Sequence, residues 1–213
     1  MIQTHLFTWN PLRENSYVIF DETQDCIIID PGCYERFEQD ELTKFISSQK
    51  LNPVLLLNTH CHIDHVFGNK FVFDSYGLLP HIHTLELEIL QAISSYAPSM
   101  GLKYEVSPLP KHYIEPYSRI TFGNSYLQAL PTPGHSPGSL SFYSKADKLL
   151  FSGDALFYES IGRTDLPGGD TAILLASVKK ELFALDPNTR VLSGHGWETS
   201  IAHEIEFNPY IRP

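Results

Sequence analysis

The stretch His60-Cys61-His62-Ile63-Asp64-His65 places three imidazoles and one carboxylate within six residues, directly after the apolar run at residues 54–57. We interpret that run as a buried strand because it is short, continuous and preceded by a proline. If the chain stays extended just past the strand, His60 and His62 point to the same side. A helix that begins near Asp64 then brings the carboxylate and the last histidine back toward them. The stretch therefore predicts a cluster of metal ligands.

Three further candidates each follow a glycine, in the pairs Gly134-His135, Gly153-Asp154 and Gly194-His195. Glycine lets the backbone turn sharply and brings the next side chain into a crowded site. Imidazole and carboxylate are preferred ligands of zinc and, less selectively, of iron or manganese. The seven donors are too many for one tetrahedral ion but suit two ions that share a carboxylate. We therefore expect two divalent ions, zinc first, with iron or manganese as alternatives.

The remaining sequence alternates strand and helix patterns. Strands are predicted at residues 2–9, 17–20, 26–29, 54–57, 80–83, 119–122, 125–130, 139–143, 148–152 and 190–193. Helices are predicted at about residues 34–50, from 64 through 73, from Thr84 as the cap to Tyr96, after Asp170 as the cap, and at 199–207. The strands form two groups, each followed by helices. The simplest packing is a single α/β domain over residues 1–213, with two sheets face to face and helices outside.

Composition excludes several classes of protein. The chain is 42% hydrophobic and 19% charged, as expected of a globular protein, and no apolar run approaches the roughly 18 residues that span a bilayer. Its 15 basic residues are scattered among 25 acidic ones, which argues against nucleic acid as a partner. The start lacks a secretory pattern, and Cys26, Cys33 and Cys61 form no Cys-x-x-Cys pair. We expect a cytoplasmic protein without a membrane partner; the sequence does not indicate an oligomeric state.

The seven donors in their order along the chain resemble the signature of the metallo-β-lactamase superfamily. The resemblance extends from Ile29-Asp30-Pro31-Gly32 to Asn208-Pro209. It implies an αββα sandwich with the metals at one edge of the two sheets. It further implies that one ion is held by His60, His62 and His135, that a second is held by Asp64, His65 and His195, and that Asp154 bridges them. Asp30 is either a group that orients a ligand from behind or a turn-forming residue before proline.

Residues 161–170, which begin Ile161-Gly162-Arg163, resemble the loop of glyoxalase II-like hydrolases, as does Gly194-His195-Gly196 followed by Thr199. Members of that group carry a C-terminal helical region that binds glutathione. This chain ends at Pro213, soon after the last motif, and so resembles the short, single-domain subgroup. Arg163 either forms an ion pair with Asp165 that braces the loop or contacts an anionic substrate.

The resemblance implies hydrolysis of a small-molecule thioester. A hydroxide bridging the two ions, which Asp154 would also bridge, would be aligned by a hydrogen bond to Asp64 and would attack the carbonyl. Thiols have a pKa near 8.5, so the departing thiolate needs little help from a general acid. This fits a sequence with no obvious spare acid beside the ligands.

Two alternatives remain open at this stage. Persulfide dioxygenases resemble this sequence too but use one iron, which here would be held by His60, His135 and Asp154. A phosphodiesterase or other ester hydrolase on the same scaffold is the second alternative, and the acidic balance counts against its nuclease form. A β-lactamase is disfavoured because Asp154 stands where a bridging carboxylate belongs. The complete set of seven donors favours two ions.

Overall fold

The computed structural model describes residues 1–211. Within them, the strands form two mixed sheets. The first sheet contains, in spatial order, β1 (Gln3–Trp9), β2 (Glu14–Phe20), β3 (Asp25–Ile29), β4 (Asn52–Leu57) and β5 (Pro80–His81). The second sheet contains, also in spatial order, β6 (Arg119–Phe122), β7 (Ser125–Pro131), β8 (Leu140–Ser144), β9 (Leu149–Gly153), β10 (Arg190–Ser193) and β11 (Thr199–Ser200).

The described residues also form six α-helices. They are α1 (Arg36–Ser48), α2 (Ile63–Val66), α3 (Asn69–Tyr76), α4 (Leu87–Tyr96), α5 (Thr171–Ser177) and α6 (Ile201–Phe207). Residues Val178–Leu182 continue α5 as a π-helical turn. No helix among residues 1–211 combines the length and the apolar character that crossing a bilayer would need.

Strand β3 shows why the layers stack as they do. Ile27 and Ile29 point into the core between the two sheets, whereas Cys26 and Ile28 pack in a second core. That second core includes Leu42 of α1. Successive side chains of a strand face opposite sides, so an all-apolar strand must be covered on both. A third core packs the other face of the second sheet on α5 and α6. The predicted αββα sandwich is confirmed.

Local start and stop signals were predicted less accurately than the layers. Thr84 is not the cap: the His83 side chain accepts from the backbone N–H of Leu85 and begins a short 3-10 turn before α4. Leu85, within that turn, is 54% exposed. The helix predicted at residues 199–207 begins later, at Ile201, because its first two residues pair with β10 instead. The Asp170 cap is confirmed, since its carboxylate accepts from the N–H of Ile173.

Candidate metal centre

The predicted ligands meet at one edge of the sandwich, where four strands end. Strands β7 and β9 both pair antiparallel with β8, and β10 pairs parallel with β9. The three strands β7, β9 and β10 therefore run in the same direction, and the residues just past their ends lie along one edge. These residues are His135, Asp154 and His195. His60 and His62 reach the same edge from β4 of the other sheet.

Helix α2 returns the end of the motif to the cluster. His62 is its N-cap with extended backbone, and its carbonyl accepts from the N–H of His65. The side-chain amide of Asn58 donates to the carbonyl of His65 at 3.0 Å and closes the loop from the other side. The predicted extended segment and subsequent helical turn are both present.

The first donor set consists of three histidine nitrogens. His62 Nδ1 lies 2.8 Å from His135 Nε2, and His135 Nε2 lies 3.2 Å from His60 Nε2. All three ligand atoms lie within 4.8 Å of one another. Bonds of about 2.1 Å to a tetrahedral zinc ion separate ligand atoms by roughly 3.4 Å. The set therefore has the spacing of ligands around one ion, with the His62–His135 pair slightly compressed.

The second donor set adjoins the first. His195 Nε2 lies 3.2 Å from Asp64 Oδ2, and His65 Nε2 lies 3.8 Å from the same oxygen. Asp154 stands between the sets: its Oδ1 is 3.3 Å from His65 Nε2 and its Oδ2 is 3.5 Å from His135 Nε2. Its two oxygens thus face both groups of histidines. The structure brings all seven predicted residues together.

Hydrogen bonds behind the cluster hold three of the rings with Nε2 pointing inward. Each Nδ1 faces an acceptor: Thr59 Oγ1 for His60 at 3.1 Å, Asp30 Oδ2 for His65 at 3.1 Å, and the carbonyl of Arg163 for His135 at 2.7 Å. A ring that donates from Nδ1 presents the lone pair of Nε2 to its other side. Such support is typical of histidines that bind metal.

Burial and charge divide the cluster into two electrostatic halves. Burial, reinforced by neighbouring imidazoles, lowers the pKa of His60 well below its usual range and the pKa of His62 to about 4. Burial also lowers the pKa of His135. Burial likewise opposes a charge on His65, but Asp154 and Asp64 outweigh it and raise the pKa of His65 well above the usual value. One half is neutral imidazole, as metal binding requires, and the other half favours positive charge.

Unpartnered atoms provide a test of whether a cation fits. Among the described residues, His65 Nε2 and Asp154 Oδ1 are buried and have no hydrogen-bond partner. Buried polar atoms are rarely left without one, because the loss of water is then uncompensated. A cation between the two donor sets satisfies both atoms. The residues present therefore fit a metal centre.

Glycine is required at all three of the predicted positions. Gly134 has a φ of 127°, and a Cβ there would meet the backbone of Leu174. Gly153 has a φ of 51°, and a Cβ there would meet the side chain of Thr59. Gly194 has an ordinary φ, but a Cβ there would meet the carboxylate of Asp154 and lie 2.7 Å from Cε1 of His65. The predicted sharp turn applies to Gly134 and Gly153, and the predicted crowding applies to all three glycines.

A cavity of about 700 Å³ opens over the cluster. His62, Asp64, His135, Asp154 and His195 form its polar floor. The remaining lining comes mostly from apolar side chains. The donor sets are thus accessible to a small molecule of the size that such pockets hold.

A profile described as Metallo-beta-lactamase superfamily matches residues 9–195, which include every predicted ligand. The chain belongs to this superfamily. It is 38% identical over 202 residues to "Probable metallo-hydrolase YqgX" of Bacillus subtilis, covering 94% of this chain and 93% of the relative. It is 30% identical over 201 residues to "Hydroxyacylglutathione hydrolase GloC" of Haemophilus influenzae, covering 93% of each.

Solved structures give the same superfamily. BLEG-1 B3 metallo-beta-lactamase superposes with a TM-score of 0.91 at 33% identity, covering 99% of this chain and all of the other. TTHA1623 in a di-iron-bound form superposes with a TM-score of 0.87 at 37% identity, covering 97% of this chain and 99% of that one. The metallo-β-lactamase fold expected from the sequence is confirmed. The chain carries a candidate metal site of this superfamily.

Asp30 supports the predicted ligand His65 and also Thr59, the residue before the predicted ligand His60. Its Oδ1 accepts from the backbone N–H of Thr59 at 2.7 Å, and its Oδ2 accepts from the Thr59 hydroxyl at 2.6 Å and faces His65 Nδ1. Both interpretations of this residue have a structural counterpart, since it also turns the chain with a φ of 48°.

We expect Asp30→Asn to weaken metal binding by about 10–100-fold, because an amide cannot accept hydrogen bonds at both of its ends. Competition against a chelator of known affinity measures the change. Asp40→Asn is the matched control, since Asp40 is an exposed carboxylate on α1 that pairs with Arg36. Equal metal affinity in the two variants would show that Asp30 only shapes the turn.

Arg163 and Asp165 form the predicted ion pair. Arg163 Nε and the Asp165 carboxylate are 2.7 Å apart, with a second contact of 2.8 Å from Nη2. Both side chains are more than half exposed, so this pair contributes little to stability. Its main consequence is local: it braces the loop whose Arg163 carbonyl receives the hydrogen bond from His135.

Two buried carboxylates near the site had no signal in the sequence. Glu86 accepts from the N–H groups of Cys61 and Gly138, both at 2.7 Å, and from the Ser136 hydroxyl. Glu14 is fully buried, accepts from Ser16 Oγ and lies 3.9 Å from His65 Nδ1. Burial raises the pKa of both groups, well above the usual value for Glu14. Neither residue stands in a motif, and only the folded chain brings them to the ligand loops.

Proposed function

We propose that this metal-dependent hydrolase cleaves thioesters of small molecules, in the manner of a hydroxyacylglutathione hydrolase (glyoxalase II), with two divalent ions. The observation that carries the proposal is that two adjoining donor sets share Asp154 at the floor of one cavity. The relation to GloC over nearly the whole chain supports the choice of substrate class.

In this proposal the donor sets divide as the superfamily resemblance implies. His60, His62 and His135 hold one ion, Asp64, His65 and His195 hold the other, and Asp154 bridges. The division is supported by the mutual distances within each set. Imidazole and carboxylate favour zinc, and iron and manganese are the alternatives because they accept the same ligands. A di-iron form of TTHA1623 is a reason to keep iron among them.

The chemistry requires little from the protein beyond placement. When bound, the two ions would polarise the thioester carbonyl and lower the pKa of a water between them. Asp64 is the residue that orients this water: burial raises its pKa, but His65 and His195 outweigh burial and keep it an anionic acceptor. Among the described residues that line the cavity, the acidic ones are Asp64 and Asp154. A thiolate leaving group fits this floor because it departs without a general acid.

The proposed location is the cytoplasm. Cys26, Cys33 and Cys61 are all free and buried. Thiols that stay reduced suit a reducing compartment.

The decisive measurement combines the metal content of the protein with its hydrolysis of S-lactoylglutathione. The release of the free thiol measures the rate of hydrolysis. We expect about two ions per chain, loss of turnover on chelation and recovery on adding zinc. Full metal loading without cleavage of any thioester would contradict the proposal.

Three counter-assays separate the rival activities. About one iron per chain, with oxygen consumed on glutathione persulfide, would favour a dioxygenase held by His60, His135 and Asp154. Because BLEG-1 is 33% identical, a chromogenic cephalosporin is assayed beside the thioester, and an aryl phosphodiester completes the panel. We expect thioester turnover to exceed both.

A further inference from the structure

The wall of the cavity beside the donor sets is largely apolar and comes from four parts of the chain. Helix α4 and the turn after it contribute Ile89, Ala92, Tyr96 and Met100. The loops around them contribute Leu12, Phe157, Leu166 and Pro167. The cavity therefore places a reactive polar floor against a broad hydrophobic wall.

Helix α4 presents this wall by its register. Leu90 and Ile93 are buried in the core beneath the helix, together with Ile63 and Val66 of α2. Ile89, Ala92 and Tyr96 follow the helical spacing on the adjacent face and are directed to the cavity. Ile89 and Tyr96 also pack against this core but remain partly exposed, and Ala92 is exposed. Part of the stripe is therefore open to a ligand in the cavity.

The mouth of the cavity also exposes apolar side chains. Leu12 is 43% exposed and Met100 is 52% exposed, and both line the cavity. Exposed apolar groups that surround a concave polar site are typical of ligand-binding pockets. Burial against an apolar ligand would remove their contact with water.

The charges around the cavity do not favour an anionic ligand portion. Among the described residues that line it, Arg163 is the one with a permanently cationic side chain. That guanidinium is already engaged in two hydrogen bonds with the carboxylate of Asp165. Glutathione carries two carboxylates, which a selective site would be expected to pair with free cations.

From the wall and the charges together we infer that the enzyme selects thioesters with an apolar acyl chain longer than lactoyl, and that it does not select the thiol. This inference rests on the proposed thioesterase function. The common biological thiols are polar and charged, so the apolar part of a thioester is its acyl chain. The acyl chain packs against Ile89, Ala92 and Tyr96, while the carbonyl lies over the donor sets.

The first test varies the acyl group on a constant thiol. The metal-loaded enzyme is assayed with S-acetyl-, S-lactoyl-, S-butanoyl- and S-hexanoylglutathione. We expect kcat/KM to rise about two- to fourfold for each added methylene, so that hexanoyl exceeds lactoyl by roughly tenfold or more. Hydrolysis that is flat along the series, or fastest with lactoyl, would overturn this inference and leave the thioesterase proposal intact. No hydrolysis of any member would contradict both.

The second test varies the thiol at constant acyl group. Hexanoyl thioesters of glutathione and of N-acetylcysteamine, which has no carboxylate, are compared. We expect values of kcat/KM that agree within about threefold, since no free cation contacts the thiol. A glutathione thioester that is more than tenfold faster would show that the thiol is recognised and would overturn that part of the inference.

A pair of variants on α4 locates the acyl chain. Ala92→Trp places a large side chain at the cavity wall from an exposed position. Gln91→Trp is its control, because Gln91 directly precedes Ala92, is exposed and does not line the cavity. We expect the hexanoyl-to-acetyl ratio of kcat/KM to fall about tenfold in Ala92→Trp and to stay unchanged in Gln91→Trp. Metal content of both proteins verifies folding. Equal ratios in the two variants would place the acyl chain elsewhere and contradict the assignment.

Discussion

Asp154→Ala is expected to abolish metal binding and hydrolysis together. Asp154 lies between the two donor sets: its Oδ1 is 3.3 Å from His65 Nε2, and its Oδ2 is 3.5 Å from His135 Nε2 and 3.6 Å from His195 Nε2. Replacing a residue that only supports a ligand typically lowers metal affinity or activity 10–100-fold. Because Asp154 is itself a proposed ligand, we expect kcat/KM of Asp154→Ala to fall further, by about 10³-fold or more.

The measurement pairs elemental analysis of the purified variant with thioester turnover. Asp74→Ala is the control, since Asp74 is an exposed carboxylate paired with Lys70 on α3. We expect that control to keep its metal and its rate. Retained metal with full turnover in Asp154→Ala would remove the bridging assignment, and with it the two-ion mechanism.

Glu86→Ala is expected to lower the free energy of unfolding by more than the other substitutions described above. The fully buried Glu86 accepts three hydrogen bonds, from the N–H groups of Cys61 and Gly138 and from the hydroxyl of Ser136. Each buried donor left without an acceptor costs about 1–3 kcal/mol. We therefore expect the free energy of unfolding to fall by roughly 3–6 kcal/mol, a large share of the 5–15 kcal/mol typical of a domain.

Metal affinity should fall in Glu86→Ala as well, because Glu86 connects the two ligand-bearing loops. Cys61 lies between His60 and His62, and Ser136 follows His135. Urea unfolding at a fixed metal concentration measures the stability, and the same samples give the metal affinity. Glu88→Ala, two residues further along the chain and exposed, should change the free energy of unfolding by less than about 0.5 kcal/mol. Similar losses in both variants would show that Glu86 is a helix residue without a special role.

The positions that the sequence predicts well are those where local chemistry and local geometry agree. Asp170 is predicted to cap α5 because its short carboxylate can accept a hydrogen bond from a backbone N–H of the first helical turn. The structure confirms this cap, and the donor is the N–H of Ile173. Thr84 also has a short side chain that can accept such a hydrogen bond before a helical pattern, but it does not cap the helix. The cap is one residue earlier, where the His83 side chain accepts a hydrogen bond from the N–H of Leu85. The residues 199–200 pair with β10 although their pattern continues the helix, since the sheet edge offers them partners that no local rule contains.

Glycine carried information of two kinds. The predicted turn at Gly153 follows from its positive φ, whereas the need for Gly194 arises from the Asp154 carboxylate beside it. The second reason depends on a residue 40 positions away in the sequence, and only packing makes it visible.

The sequence alone determined the composition of the site: seven imidazole and carboxylate donors, each at the end of an apolar run, and two groups of strands able to form a sandwich. These are local properties, because ligand type and strand periodicity are written in adjacent residues. The tertiary structure alone decided which Nδ1 atoms are anchored, that Glu86 and Glu14 stand buried behind the ligand loops, and that α4 turns a second apolar stripe toward the cavity. These depend on contacts between distant segments, whose partners no stretch of sequence specifies by itself.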